Sequence, residues 1–193
     1  LDRVLDLSAQ YDVQADCTIR LVGISRFLTD ERGRFQGIFV SNMVGDLDPD
    51  VRRFLYGDGQ DTHRLQRLFG HLGDLLLPRL PDDFQGPIGV DAMVYREAGA
   101  LRMKPIVEVN PRFTMGRVGL SLRKRVLTSR TAVWRVQRLR DLADDVETWA
   151  ARLSAARPLE MTADGHQISM GAVFTNEPTE ARVSVGVLMV AEQ

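Results

Sequence analysis

The stretch KPIVEVNPRFTMG, residues 104–116, contains a strand-like run at 106–109 that sets Glu108 and Asn110 one pleat step apart and stops at Pro111. Side chains alternate across a strand, so Lys104, Ile106, Glu108 and Asn110 share one face while Val107 and Val109 point away. The run before it offers Asp91, Met93 and Tyr95 on one face and Val90, Ala92 and Val94 on the other. If the two runs form a hairpin closed by the four residues 98–101, Tyr95 lies opposite Lys104 and Asp91 opposite Glu108. Pro105 can disturb that register with a bulge. In it, two carboxylates face each other with Cβ atoms about 5 Å apart, which is destabilising unless something compensates. A shared proton, an Arg or Lys, or a divalent cation would each do so. Asn110 adds a neutral oxygen, and two carboxylates with an amide suit Mg²⁺ or Mn²⁺ completed by phosphate oxygens and water. That is the protein half of a nucleotide–metal site. On residue types alone, the solvated face of a sheet explains the same residues equally well, and Met93 by itself reads as ordinary packing.

These side chains need elements to hold them. Residues 5–13 alternate, with Leu5, Leu7, Ala9, Tyr11 and Val13 on one side and Asp6, Ser8, Gln10 and Asp12 on the other, the pattern of a half-buried strand. Residues 18–29 and 34–41 read as a hairpin turning at Asp30, Glu31, Arg32 and Gly33, and 45–60 as a loop around a short helix at 50–56. A helix over 61–77 follows from the spacing of Leu65, Leu68, Phe69, Leu72, Leu75 and Leu76, capped by Asp61 or Thr62 and ended by Pro78. The carboxylate hairpin (88–96 and 101–110) leads into a loop at 111–117 and a helix at 118–127. A further helix over 141–156 shows Leu142, Val146, Trp149 and Leu153 on one face, and a hairpin of 166–176 and 181–191 closes the chain. Strand pairs alternating with helices predict an α+β fold, an antiparallel β-sheet with packed helices, in one domain over 1–193.

Bulk properties narrow the function. The 193 residues carry 44% hydrophobic and 26% charged side chains with a net charge of −1, so disorder and a general nucleic-acid or membrane-surface role are not expected. Cys17 is the single cysteine, which excludes an intrachain disulfide or a cysteine metal site and sets a reducing, cytoplasmic location as the expectation. Leu1 opens the chain inside structured sequence, and Lys104 and Lys124 are its two lysines; we read it as a fragment or the tail of a longer protein. No Ser-His-Asp or Cys-His set is visible, and His63, His71 and His166 read as surface or capping residues. The Arg-rich stretch 117–140, with Arg123, Lys124, Arg125, Arg135, Arg138 and Arg140, reads as a pair of helices with a solvated basic face. Arg123 or Arg26 could instead reach an anionic substrate. The segment MTADGHQISMGAVF reads as a sheet extension rather than a substrate lip.

GPIGVDAMVY (86–95) followed by PIVEVNPRFTMG (105–116) resembles the C-terminal part of an ATP-grasp domain, whose signature is an acidic residue on one strand and E-x-N, often followed by Arg, on the next. The resemblance implies an ATP-dependent ligase of the carboxylate–amine type, which activates a carboxylate as an acyl phosphate for attack by an amine or similar nucleophile. It implies that Asp91, Glu108 and Asn110 bind the metals bridging the ATP phosphates, and that Met93 packs against adenine. It further implies that Leu1 is the last hinge residue, that Asp6 contacts the ribose, and that Arg112 acts in catalysis. Arg112 and the backbone of Met115 and Gly116 would bind the acceptor carboxylate or the transferring phosphoryl group. The match covers residues 1–125; residues 126–193 are a helix and terminal hairpin without a matching motif. The lysines and glycine-rich loop with which the family holds phosphates are not in this sequence. The expected partners are therefore the preceding N-terminal and central ATP-grasp domains, with small-molecule carboxylate and amine substrates, and the fragment alone is expected to be inactive. The competing reading is a non-catalytic ATP-grasp-like module that binds a nucleotide or a partner.

Overall fold

The alternating run near the N-terminus does form a strand, β1 (Asp2–Val13), but it is buried on both faces rather than one. The structure, a computed structural model, describes all residues except 1, 31, 42, 45, 58–60, 62 and 193, so the adenine-hinge expectation for Leu1 and the Thr62 cap lie outside the described residues. The chain divides into two compact units, residues 1–27 with 44–120, and 28–43 with 121–193.

In the first unit β1 is flanked by β2 (Ile19–Thr29) on one side and by β4 (Gly86–Glu97) on the other, and β4 pairs with the edge strand β5 (Ala100–Asn110), all antiparallel. The helices α1 (Pro49–Tyr56) and α2 (Arg64–Leu76) bring Val51, Leu55, Leu65 and Phe69 into the core with Leu5, Leu7, Ala9 and Tyr11 of β1. The Tyr11 hydroxyl donates to the Phe69 carbonyl at 2.7 Å, and its ring lies where a side chain on Gly73 would go. Leu68 and Leu75, expected on the buried face of this helix, are exposed; the buried face carries Leu65, Phe69 and Gly73, and Gly73 lies against Tyr11. Pro78 does not stop the helix outright; residues Leu77–Arg79 tighten into a 3-10 turn. Asp61 receives the His63 amide at 3.2 Å but is not the capping position, which is His63.

The opposite, polar face of β1 is covered by α3 (Met115–Arg123), which starts three residues earlier than its hydrophobic pattern suggested. Two glycines permit this start: Gly116 rests on Gln10 and Ser25, and Gly23 receives the Leu120 side chain. Arg117 fastens α3 to β1 by bonding the Asp12 carboxylate and, at 3.1 Å, the Tyr11 carbonyl. Hydrogen bonding from Arg117 holds the Asp12 carboxyl below the usual carboxylate range, with Arg20 adding a weaker pull. A depressed folded-state pKa stabilises the protein above the unfolded value, and the contribution is lost as pH falls through the folded value. Thermal melting is therefore expected to decline as pH drops below ~4, and more gently in Asp12→Asn; an equally steep decline in the variant would show that the Arg117 pair contributes nothing.

In the second unit the antiparallel order is β3 (Phe35–Ser41), β6 (Thr131–Arg138), β9 (Ser184–Ala191), β8 (Ile168–Phe174) and β7 (Glu160–Met161). The strand β6 corrects the helical reading of the Arg-rich stretch: Ala132 and Trp134 alternate with exposed or half-exposed positions, and Arg135 and Arg138 lie on a strand. Trp134 packs with Val40, Leu188 and Val190. The helix expected from 141 begins at Val146 as α4 (Val146–Ala156), because the Asp145 side chain caps it by accepting the Thr148 amide at 2.9 Å. Trp149 meets Phe174 at 5.6 Å between ring centres. The expected strand pairing and helices are thus those of an α+β antiparallel fold. Among the described residues no helix is long and apolar enough to cross a membrane.

Candidate functional site

The hairpin β4–β5 turns on two residues, Ala98 and Gly99, with φ of 49° and 82°. Positive φ at both central positions matches the twist of the strands. The turn is thus shorter than the four-residue loop expected, and Tyr95 faces Arg102 while Lys104 faces Met93. Asp91 nonetheless faces Glu108, because the register shifts between Met93 and Asp91, where β5 carries Pro105. Proline has no N–H for the ladder, so a bulge on an edge strand suits it. The shift amounts to two residues, and a two-residue slip keeps every side chain on its face.

Two further registers carry the row inward. Asp91 faces Ser8 and Ser8 faces Ser25, while Gly89 lies between Asn110 and Gln10. Met93 lies opposite Asp6. One sheet face therefore gathers Glu108, Asp91 and Asn110 with Ser8, Gln10, Met93 and Asp6. Glu108 is exposed, whereas Asn110, Met93 and Asp6 are buried. Asp6, expected at the ribose, is bonded by Arg3 at 3.1 Å.

Burial pushes the Asp91 carboxyl above its ordinary value; the Ser8 hydroxyl, donating at 2.6 Å, opposes this, the negative charges of Glu108 and Asp6 reinforce it, and Arg112 weakly opposes it. After Asn110 the chain turns sharply at Pro111, with the Arg112 amide bonding the Asn110 carbonyl at 2.8 Å. The Arg112 guanidinium donates to Asn110 Oδ1 at 3.1 Å and to the Phe113 carbonyl at 3.3 Å, so it sits beside the oxygen set. Met115 and Gly116 are the first residues of α3 rather than part of a loop. Their backbone therefore belongs to a helix N-terminus, where free amides and the helix dipole favour an anion.

Among the described residues no three His, Cys, Asp or Glu side chains form a metal-holding group. The set here is two carboxylates and an amide, and such hard oxygens fit a cation that draws its remaining ligands from phosphate and water. Asp91, raised chiefly by burial and further by the like charge of Glu108 across the strand, is the kind of group a cation would relieve.

Other candidates fall elsewhere. Arg26 holds Asp46 with both guanidinium nitrogens at 2.5 and 3.0 Å. Arg123 ends α3, and His63, His71 and His166 are exposed. Sequence reasoning passed over Ser8, Gln10 and Thr114, which join Asp91 in one hydrogen-bonded chain. The signal was present: Asp6, Ser8 and Gln10 share the parity that meets Asp91.

No protein-family model matches the sequence, and no curated protein matches it. Solved structures do. The whole chain superposes on N5-carboxyaminoimidazole synthetase from Staphylococcus aureus, solved with ADP, at 10% identity and a TM-score of 0.50, covering 46% of that protein. It also matches L-amino acid ligase from Bacillus licheniformis (10% identity, TM-score 0.46, all of this chain and 50% of that one). A third match is pyruvate carboxylase from Rhizobium etli (12% identity, TM-score 0.48, 98% of this chain and 20% of that one). The chain spans about half the length of the synthetase. At these identities the likeness speaks for the fold, and the fold of this chain is that of the ATP-grasp proteins, as the Asp91, Glu108, Asn110 and Arg112 pattern led us to expect.

Proposed function

We propose that the chain is the C-terminal portion of an ATP-grasp ligase dependent on ATP and Mg²⁺ (or Mn²⁺). The observation that carries this is the pairing of Asp91 with Glu108 beside buried Asn110, with Arg112 bonded to the Asn110 oxygen. Asp91, Glu108 and Asn110 hold the metal. When bound, the metal neutralises charge on the polyphosphate during transfer. Met93 and Asp6 lie along the same face for the adenine and ribose. Arg112 offers a planar, permanently charged fork to the carboxylate or phosphoryl group, and the amides at the start of α3 orient it. The substrate carboxylate attacks the γ-phosphorus and ADP leaves; an amine then attacks the acyl carbon and phosphate leaves. Phosphoryl transfer of this kind asks the protein chiefly for positioning and electrostatics. The ADP in the synthetase structure and the 46% coverage of that chain support a nucleotide site completed by domains beyond this one.

Calorimetry with Mg·ATP tests the reading. A longer protein that includes the central domain is expected to bind in the micromolar range, and this chain on the order of a hundredfold more weakly, since half of the phosphate contacts are missing. Micromolar binding by the chain alone would overturn the half-site idea. Failure of the longer protein to bind nucleotide in a metal-dependent way would overturn the site itself.

A further inference from the structure

Building on the metal-site reading, we propose that Ser8, Gln10 and Thr114 are positioning residues that fix the orientation of the Asp91 carboxylate. Thr114 Oγ1 donates to Gln10 Oε1 at 2.8 Å, Gln10 Nε2 donates to Ser8 Oγ at 2.7 Å, and Ser8 Oγ donates to Asp91 Oδ1 at 2.6 Å. Every bond in the chain points the same way. A serine hydroxyl has one proton to give; with its oxygen already accepting from Gln10, that proton is committed to Asp91. Oδ1 is thereby held, and Oδ2, which among the described residues receives no hydrogen bond, is left to face a cation.

Packing alone does not call for these residue types. Ser8 and Gln10 are 3% and 1% exposed, in a strand whose other face is Leu, Ala and Tyr. A neutral buried hydrogen bond contributes little net stability, and apolar side chains of similar shape would fill the space as well. What an apolar row could not do is aim a carboxylate. The far end of the chain explains its length: Thr114 immediately precedes α3, so the same bonds that set Asp91 also set the turn carrying Arg112. Gly89 and Gly116 keep the path open, since a Cβ on Gly89 would lie 3.0 Å from Thr114 Oγ1 and one on Gly116 would press on the Gln10 amide.

The test is Mn²⁺ binding by the intact protein without nucleotide, read as free Mn²⁺ by electron paramagnetic resonance. Ser8→Ala is expected to weaken Mn²⁺ binding about tenfold or more, the usual effect of losing a partner behind a metal ligand. Ser25→Ala is the control: Ser25 is equally buried in the same row, but its hydroxyl bonds the Ser8 carbonyl at 3.3 Å rather than Asp91, and its removal should leave Mn²⁺ affinity unchanged. Wild-type affinity in Ser8→Ala, or equal losses in the two serine variants, overturns the proposal. Should Ser8→Ala fail to fold, Gln10→Met breaks the chain one link earlier, and unchanged affinity there overturns it too. Asp91→Asn separates the two levels: if it also binds Mn²⁺ like wild type, the metal-site reading itself is wrong.

Discussion

Asp91→Asn and Glu108→Gln, made separately in the intact protein, are each expected to lower ATP turnover on the order of a hundredfold or more. Both substitutions keep the size of the side chain and one oxygen while removing the charge that a metal needs. The effect on stability should run the other way. Asp91 is half-buried and faces Glu108 directly, and like charges opposite one another on a sheet cost up to about 1 kcal/mol. The Ser8 hydroxyl can still donate to an amide oxygen. Neither variant should therefore melt below wild type, and Asp91→Asn should melt slightly higher. Activity lost while stability holds or rises marks a functional pair. ADP release, followed alongside thermal melting, reads both. Full turnover in both variants would reject the catalytic reading and leave the non-catalytic nucleotide- or partner-binding alternative.

Gly116→Val should damage both the fold and the site. An added Cβ would lie 2.8 Å from Ser25 Oγ and closer still to the Gln10 amide, which is itself held between Thr114 and Ser8. Neither neighbour can yield without giving up a buried hydrogen bond. Overpacking of this kind costs about 2–3 kcal/mol, more than valine's better helix propensity can return. The first turn of α3 should lift away from the sheet, taking Arg112 with it, so turnover falls together with the urea midpoint. A variant as stable and active as wild type would show that α3 does not rest on β1 as described.

These two sites differ in how visible they are beforehand. That Asp91 and Glu108 share a face is legible from alternation alone; their direct pairing is not, and it matches the expected register only because a two-residue turn and a two-residue slip at Pro105 cancel. The contact between Gly116 and Gln10 is not legible, because nothing local links them. For the same reason Asp6, Ser8 and Gln10 looked like a solvent face: alternation reports that a strand has two sides, not what covers the second. The strand β6 was hidden differently, since its arginines drew attention away from the period-two pattern of Ala132 and Trp134.

By itself, then, the sequence determined most of the α+β elements, β6 excepted, and the parity that sets Asp91, Glu108 and Asn110 on one face. Those depend on short-range periodicity, which each segment carries within itself. The tertiary structure decided that β1 is buried on both sides, that α3 begins at Met115, and that Ser8 and Gln10 connect Thr114 to Asp91. Those contacts join residues 83 and 104 positions apart, and they exist because glycines at 89 and 116 let a helix approach a polar sheet face at hydrogen-bonding distance.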